Sequence, residues 1–268
     1  MLRTLIQAGA NVNLPNFDDE TPLMTAVEDR ETASVKLLLA AGAKVDARGR
    51  GGRSVWDIVT ERSGSNDHEI AALLAGSASA VDPEGGSKLL DRAATEGWTD
   101  IVDLLIKHGV NVKGMAGASP LMNATMGGRV EVMKLLLQAG TNPDASPPDK
   151  PNVTPLQSIV HANEWGLSDL ANDPAVRLEI VKLLISKGAN VRRKQTDLYI
   201  GEPLFLALFE IDDLDVAEIL VKYGANVNRE NRDGYSYLHY ARKIANQKVV
   251  NFLLMHGGRD TTNPAYTH

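Results

Sequence analysis

Ile180-Val181-Lys182-Leu183-Leu184-Ile185 is a six-residue block that is followed, three positions later, by Gly188. Its apolar first, second, fourth, fifth and sixth positions indicate an α-helix that is buried around most of its circumference. A glycine just beyond such a helix suits the left-handed conformation in which many helices end. The block therefore predicts a helix held between two neighbours and ended at Gly188.

The same block recurs along the chain, each time with its glycine. It begins at Ser34, Ile101, Val132, Val216 and Val249, and the glycines are Gly42, Gly109, Gly140, Gly224 and Gly257. A second motif, a polar residue before Pro-Leu, lies upstream and begins at Thr21, Ser119, Thr154 and Glu202. Ser or Thr before Pro indicates a helix cap followed by the first helical position. Each unit is thus predicted to be a capped first helix, a turn, a second helix and a glycine stop.

The first helices share an apolar anchor that recurs with a period close to 33 residues. The anchors are Leu23, Trp56, Leu90, Leu121, Leu156, Leu204 and Leu238. Repetition at this period predicts a stack of similar units, each buried against its neighbours.

These motifs resemble the ankyrin repeat family. The residues that carry the resemblance are Thr21–Ala26, Gly42-Ala43, Gly188–Val191, Gly224–Asn228 and Asp233–His239. The resemblance implies an all-α solenoid of stacked helix-turn-helix units with projecting β-turn fingers. It also implies that partners bind to the fingers and to the concave face of the first helices, and that the module is not catalytic.

We expect one repeat domain over residues 1–262, with a half repeat at 1–13, seven repeats over about 14–262 and a flexible tail at 263–268. The second repeat is degenerate, and its glycine- and serine-rich sequence predicts a flexible joint near 63–87; simple decay within a continuous stack is the alternative. Repeat five carries an insert near 163–176. The insert is either a functional loop or a lengthening of the first helix, in which Trp165 covers the edge of the repeat. Because the array starts in mid-unit, we expect a fragment of a longer chain or, alternatively, a frayed cap.

The composition argues against several functional classes. A net charge of −6 gives no basic surplus for nucleic acid. The chain has no cysteine, its histidines lack metal-ligand spacing, and no apolar run is long enough for a membrane helix. We expect no catalytic residue, no cofactor and no metal, and the resemblance implies a structural, hydrogen-bonding role for His239.

The family's two partner-facing positions map onto this sequence residue by residue. The late first-helix pairs are Glu28-Asp29, Glu61-Arg62, Thr95-Glu96, Met126-Gly127, His161-Ala162, Phe209-Glu210 and Lys243-Ile244. The finger tips bring Phe17, Arg50, Arg53, Met115, Tyr199 and Tyr235. Exposed aromatic side chains on one face favour an interaction site.

We therefore predict a binding surface on repeats four to seven, at Tyr199, Phe209, Tyr235 and Ile244. Further candidates are Met115, Met126, Phe17, Arg50 and Arg53. The alternative is that these side chains pack against adjacent fingers. A second hypothesis is that Arg48, Arg50 and Arg53 receive an acidic tail.

The predicted function is a non-enzymatic scaffold or adaptor that binds a protein or peptide. One rival is a regulatory or targeting region of a larger multidomain protein or enzyme, and another is a binder of a small ligand or nucleic acid. We expect a monomer that contacts neither nucleic acid nor membrane and resides in the cytoplasm.

Overall fold

The computed structural model describes residues 1–61, 64, 66–77, 83–150, 152–161, 167–192, 202–230 and 235–261. Within these ranges the regular structure is helical, apart from isolated bridges between extended residues. The chain divides into two compact units, residues 1–124 with 131–141 and residues 125–130 with 142–268. The predicted all-α class is confirmed.

The described residues of the first unit form mainly nine α-helices and one short 3₁₀ turn. They are α1 (Leu2–Gln7), α2 (Pro22–Glu28), α3 (Thr32–Ala40), the 3₁₀ turn (Arg50–Gly52), α4 (Val55–Glu61), α5 (Asp67–Ser77), α6 (Pro83–Glu96), α7 (Thr99–Lys107), α8 (Ala118–Met126) and α9 (Val130–Gln138). The even-numbered helices are the first helices of their repeats. Helix α1, the second helix of the half repeat, has no buried residue.

The described residues of the second unit form seven further helices. They are α10 (Pro155–Val160), α11 (Asp169–Asn172), α12 (Pro174–Ser186), α13 (Pro203–Phe209), α14 (Leu214–Lys222), α15 (Tyr237–Lys243) and α16 (Gln247–Met255). Here α10, α13 and α15 are first helices, and α12, α14 and α16 are second helices.

Packing follows the repeat. The first helix of one repeat contacts the first helix of the next, as in the pairs α2–α4 and α10–α13. Second helices contact each other in the same way, as in the pairs α3–α5 and α12–α14. All seven predicted anchors are at most 2% exposed, so each lies in the layer between helices. Burying apolar side chains of this size contributes about 1.5–3 kcal/mol each, so these anchors stabilise the contacts between repeats.

The helix ends confirm most of the predicted caps. Thr21 and Thr154 accept hydrogen bonds from the backbone N–H of Met24 and Gln157. The predicted stop at Gly188 has φ of +93°, where a side chain would be strained. The other predicted stop glycines also have positive φ.

The predicted cap at Ser119 is wrong, because α8 begins one residue earlier, at Ala118. A Cβ on the preceding Gly117 would lie 2.4 Å from Thr141 Oγ1, so this close approach fixes where the chain enters the helix. Pro120 is tolerated in the first turn, where backbone N–H groups have no helical acceptor.

The described ends of the predicted joint are helical, and its flexibility stays a prediction. Gly76 and Ser77 end α5, and residues 83–87 form the start of α6, in which Gly85 and Gly86 are buried. Proline is favoured at the start of a helix, which explains why Pro83 opens α6. Residues 78–82 lie outside the described residues.

The insert of repeat five also differs from its predicted form. The first helix α10 ends at Val160 and is not lengthened. The described part of the insert forms the short helix α11, capped by Ser168, and a first turn of α12 that begins at Pro174. Asp173 caps this turn by accepting from the N–H of Ala175 and Val176. Trp165 lies outside the described residues.

A buried carboxylate ties three repeats together in the degenerate region. Asp67, whose side chain is 4% exposed, accepts from Arg30 Nε at 2.8 Å and from Arg92 Nη2 at 2.7 Å. The backbone N–H of Gly64 donates to it at 2.6 Å. Burial alone would raise the pKa of Asp67, but the hydrogen bonds from Arg30, Arg92 and Gly64 outweigh it and hold that pKa below its usual value.

Replacing this carboxylate should destabilise the first unit strongly. We expect Asp67→Asn to lower the free energy of unfolding by about 3 kcal/mol, because it leaves two partly buried guanidinium groups without their anion. The control Asp103→Asn removes an exposed pair with Lys107 and should cost less than about 0.5 kcal/mol. Urea denaturation measures both changes, and equal small losses would contradict the structural role of Asp67.

Candidate interaction surface

Helices α13 and α15 are positioned by their local sequence. Pro203 begins α13, and Ser236 caps α15 by accepting from the N–H of His239 at 3.2 Å. Ser236 is itself buried and exchanges two hydrogen bonds with Thr261, through its N–H and its hydroxyl. These contacts fix the start of both first helices.

Four aromatic rings pack together across α13 and α15. Phe205, Phe209, Tyr237 and Tyr240 form this ring cluster, with centroids of contacting rings 4.9–6.1 Å apart. Tyr237 is 2% exposed, whereas the other three rings are half-buried. Such rings combine a large apolar area with preferred edge and tilted geometries. The cluster therefore joins two repeats and still presents aromatic surface.

The base of the ring cluster is polar. Tyr237 donates its hydroxyl to Glu202 Oε2 at 3.5 Å, and Arg229 forms a close ion pair with Glu202. The side chain of Glu202 does not cap α13. It contacts Arg229 and Tyr237 instead. Burial, together with the nearby Glu202 charge, raises the pKa of the Tyr237 phenol well above its usual value.

A second group of side chains follows along α15. The Tyr235 ring stacks on His239 at 4.8 Å, and Lys243 Nζ lies 4.5 Å from the centre of the same ring. His239 Nδ1 lies 2.8 Å from Asp260 Oδ1, and Arg242 pairs with the other oxygen of that carboxylate.

The predicted site residues fall in different places. Phe209 lies in the ring cluster, Tyr235 lies beside α15, and Ile244, which directly follows α15, is 46% exposed. Tyr199 lies outside the described residues. Packing explains why Phe209 and Tyr235 are half-buried rather than fully exposed, so part of the predicted surface is occupied by contacts within the chain.

Three further candidates lie outside α13 and α15. Phe17 (108% exposed) and Met115 (57%) are on fingers of the first unit. Met126, in the second unit, is half-buried and its sulfur contacts Lys150 Nζ at 3.4 Å.

The sequence does not predict three members of the ring cluster, which are Phe205, Tyr237 and Tyr240. Phe205 lies four residues before Phe209, and Tyr240 lies three after Tyr237, so helical spacing could have placed each pair on one face. The late first-helix positions do not include them, because those positions lie in the last turn of each helix.

The arginines at the second finger are already paired with carboxylates. Arg53 contacts Glu28 at 3.3 Å and Glu61 at 2.7 Å, and Arg50 lies 3.5 Å from Asp18. The hydrogen bond with Glu61 is the main cause that raises the pKa of Arg53. An acidic tail on Arg48, Arg50 and Arg53 would therefore compete with the carboxylates that already contact Arg50 and Arg53.

The charged side chains that line a groove of about 620 Å³ on the first unit also pair with one another. Its charged lining residues are Arg48, Arg53, Lys88, Asp57, Glu61 and Glu84. Lys88 Nζ contacts Asp57 at 2.6 Å and Glu84 at 3.0 Å. Burial would raise the pKa of Asp57, but hydrogen bonds from Lys88 and Ser54 prevail and lower it to about 2. The described groups of this groove thus bind one another.

Two features are absent from the described ranges. No group of three or more His, Asp or Glu side chains there is arranged to hold a metal ion. None of the helices there is both long and apolar enough to cross a membrane.

The buried phenol of Tyr237 should make stability sensitive to alkali. An unfolded tyrosine ionises near pH 10, whereas the pKa of Tyr237 is higher in the folded state. This difference therefore stabilises the folded state fully below about pH 10, and the stabilisation is lost as the pH rises further. We expect up to about 1.4 kcal/mol of lost unfolding free energy per pH unit above about 10 from this group. Tyr237→Phe should remove that part of the slope.

The control for this experiment is Tyr223→Phe, because the Tyr223 side chain is 54% exposed. It should leave the alkaline slope unchanged. Urea denaturation at a series of pH values measures the slope, and identical slopes for the wild type and Tyr237→Phe would contradict the burial of this phenol.

Models of known families match most of the chain. A model described as "Ankyrin repeats (3 copies)" matches residues 60–147 and 171–264, and one described as "Ankyrin repeat" matches residues 18–50.

Curated relatives match over shorter ranges. An ankyrin repeat protein of Rickettsia felis is 34% identical over 108 residues, which cover 39% of this chain and 44% of the relative. The ADP-ribosylation factor GTPase-activating protein AGD2 of Arabidopsis thaliana is 33% identical over 75 residues, 28% of this chain and 10% of that protein. The human BCL-6 corepressor-like protein 1 is 38% identical over 60 residues, 22% of this chain and 3% of that protein.

In each case the match spans less than half of the relative's length. The family models, by contrast, match well over half of this chain and agree with its helix pairs, buried anchors and glycine stops. The chain belongs to the ankyrin repeat family.

Proposed function

We propose that this chain is a non-enzymatic scaffold or adaptor that binds a protein or peptide on its first helices α13 and α15. Ankyrin repeats generally mediate protein–protein interaction, and the family is typically non-enzymatic. The observation that carries the proposal is the half-buried aromatic surface of Phe205, Phe209 and Tyr240, which is continued along the chain by the exposed Ile244.

Physical chemistry favours this surface over the other candidates. Interface hot spots are enriched in aromatic residues that are already ordered before binding, because less side-chain entropy is lost. The ring cluster meets this condition, since each ring is held by at least two others. The arginines at the second finger and the 620 Å³ groove are less favourable, because a ligand would have to break existing ion pairs.

A regulatory or targeting region of a larger protein is the second candidate. It is favoured by the matches to AGD2 and to BCL-6 corepressor-like protein 1, which cover only 10% and 3% of those proteins. A binding role on α13 and α15 is compatible with both candidates, and the coding sequence around this chain distinguishes them. The monomeric state and the cytoplasmic location stay predictions.

The proposal is tested by changing one exposed apolar side chain next to the first helix of a repeat and another on its second helix. Ile244→Asp places a charge next to α15, whereas Leu254→Asp places the same charge on the second helix α16; the two side chains are 46% and 48% exposed. We expect Ile244→Asp to reduce partner capture at least about tenfold, the effect of losing about 1.4 kcal/mol. Leu254→Asp should capture the same partners as the wild type.

The measurement is quantitative mass spectrometry of proteins captured by each immobilised variant from an extract of the source cells. Circular dichroism must show the same helix content and thermal transition for all three proteins. Equal capture by the wild type and Ile244→Asp would contradict binding at this surface.

A further inference from the structure

The cation on the partner-facing side of α15 has no carboxylate partner among the described residues. Lys243 is exposed, and the contact that the structure gives its ammonium is the ring of Tyr235, 4.5 Å away. The neighbouring cations Arg229, Arg242 and Lys248 each contact a carboxylate instead. An exposed cation–ring contact is weak and leaves ammonium N–H donors available.

A phenol lies on the same side of the helix. Tyr240 precedes Lys243 by three residues, a spacing that places both side chains on one face of α15, and Ile244 directly follows the helix. The Tyr240 ring packs on Phe209 at 5.0 Å, while its hydroxyl has no hydrogen-bond partner within the described ranges. One face thus combines apolar ring surface with a hydroxyl donor and a positive charge.

The rings themselves leave no space for a ligand between them. The contacting pairs of the ring cluster lie 4.9–6.1 Å apart, which is the distance of direct ring packing. The cluster is therefore a surface on which a side chain can lie, and it is not a cage that could enclose a cationic group. Lys243 would also repel a cation at this place.

We propose that the segment recognised here is an acidic peptide with an apolar anchor. The anchor side chain lies on the rings of Phe209 and Tyr240, and a neighbouring carboxylate accepts hydrogen bonds from Lys243 Nζ and the Tyr240 hydroxyl. The inference rests on the proposed function, because it names the chemistry of the partner for that same surface. Charge complementarity with Lys243 selects acidic over basic segments and aids their approach.

The experiment is a selection from a displayed library of random short peptides against the full chain. We expect enrichment of peptides in which Asp or Glu lies next to a large apolar residue. For the tightest peptide, Lys243→Glu should raise the Kd about tenfold, and Lys243→Arg should keep it within about twofold, since only the first reverses the charge. The affinity for this peptide should also fall as salt is added, because an exposed ion pair is screened.

Lys222→Glu is the matched control, because it makes the same charge change on the second helix α14, where Lys222 is also exposed. It should leave the Kd unchanged, so a change of net charge alone is separated from the loss of this contact. Ile244→Asp is measured with the same peptide to test the surface independently of the ammonium group.

The outcomes separate the two proposals. If selected peptides lack acids, or if Lys243→Glu has no effect while Ile244→Asp abolishes binding, the acidic partner is wrong and the surface stands. If neither variant changes the Kd, or if no peptide is enriched, both the partner chemistry and the surface are contradicted. Selection of basic peptides, or binding of an oligonucleotide that Lys243→Glu abolishes, would also overturn the acidic peptide.

Discussion

The fold depends on the burial of apolar side chains between neighbouring helix pairs. A pair of helices of seven to nine residues, such as α2 with α3 or α13 with α14, cannot shield its apolar residues alone. The anchors Leu23, Leu156 and Leu204 reach at most 1% exposure because a second repeat covers them. Each repeat is thus stabilised by its neighbours, and its surface residues are left for contacts that the fold does not require.

In the degenerate second repeat, charges add to the apolar contacts between repeats. The degenerate second repeat has a polar turn before α5, and there Asp67 binds Arg30 of the preceding repeat and Arg92 of the following one. Arg177 and Asp213 form a similar pair, 3.4 Å apart, in the second unit. Removing one member of a buried pair costs several times more than removing one member of an exposed pair, so these sites keep their charges for structural reasons.

The sequence predicts what is periodic and misses what is specific to one repeat. The anchors, the caps at Thr21 and Thr154 and the stop at Gly188 follow from helix geometry, which is the same in every unit. The start of α8 depends instead on the close approach of Gly117 to Thr141, which no local pattern reveals.

The candidate surface shows the same limit. Phe209 and Ile244 could be predicted from their late positions in or after a first helix, but the packing of Tyr240 on Phe209 joins residues that are 31 positions apart. The pairing of Arg53 with Glu28 and Glu61 depends on contacts between repeats, so its neutralisation was not visible in composition. Periodicity places residues on a face, whereas contacts across repeats decide whether a side chain is still available to a partner.

The central claim is that partners bind to the first helices α13 and α15. Hydrogen exchange of the full chain, measured by mass spectrometry with and without the tightest selected peptide, tests it most directly. We expect the largest slowing of exchange on binding in Pro203–Phe209 and Tyr237–Lys243. Slowing that is confined to the second helices, or to the helices of the first unit, would contradict it.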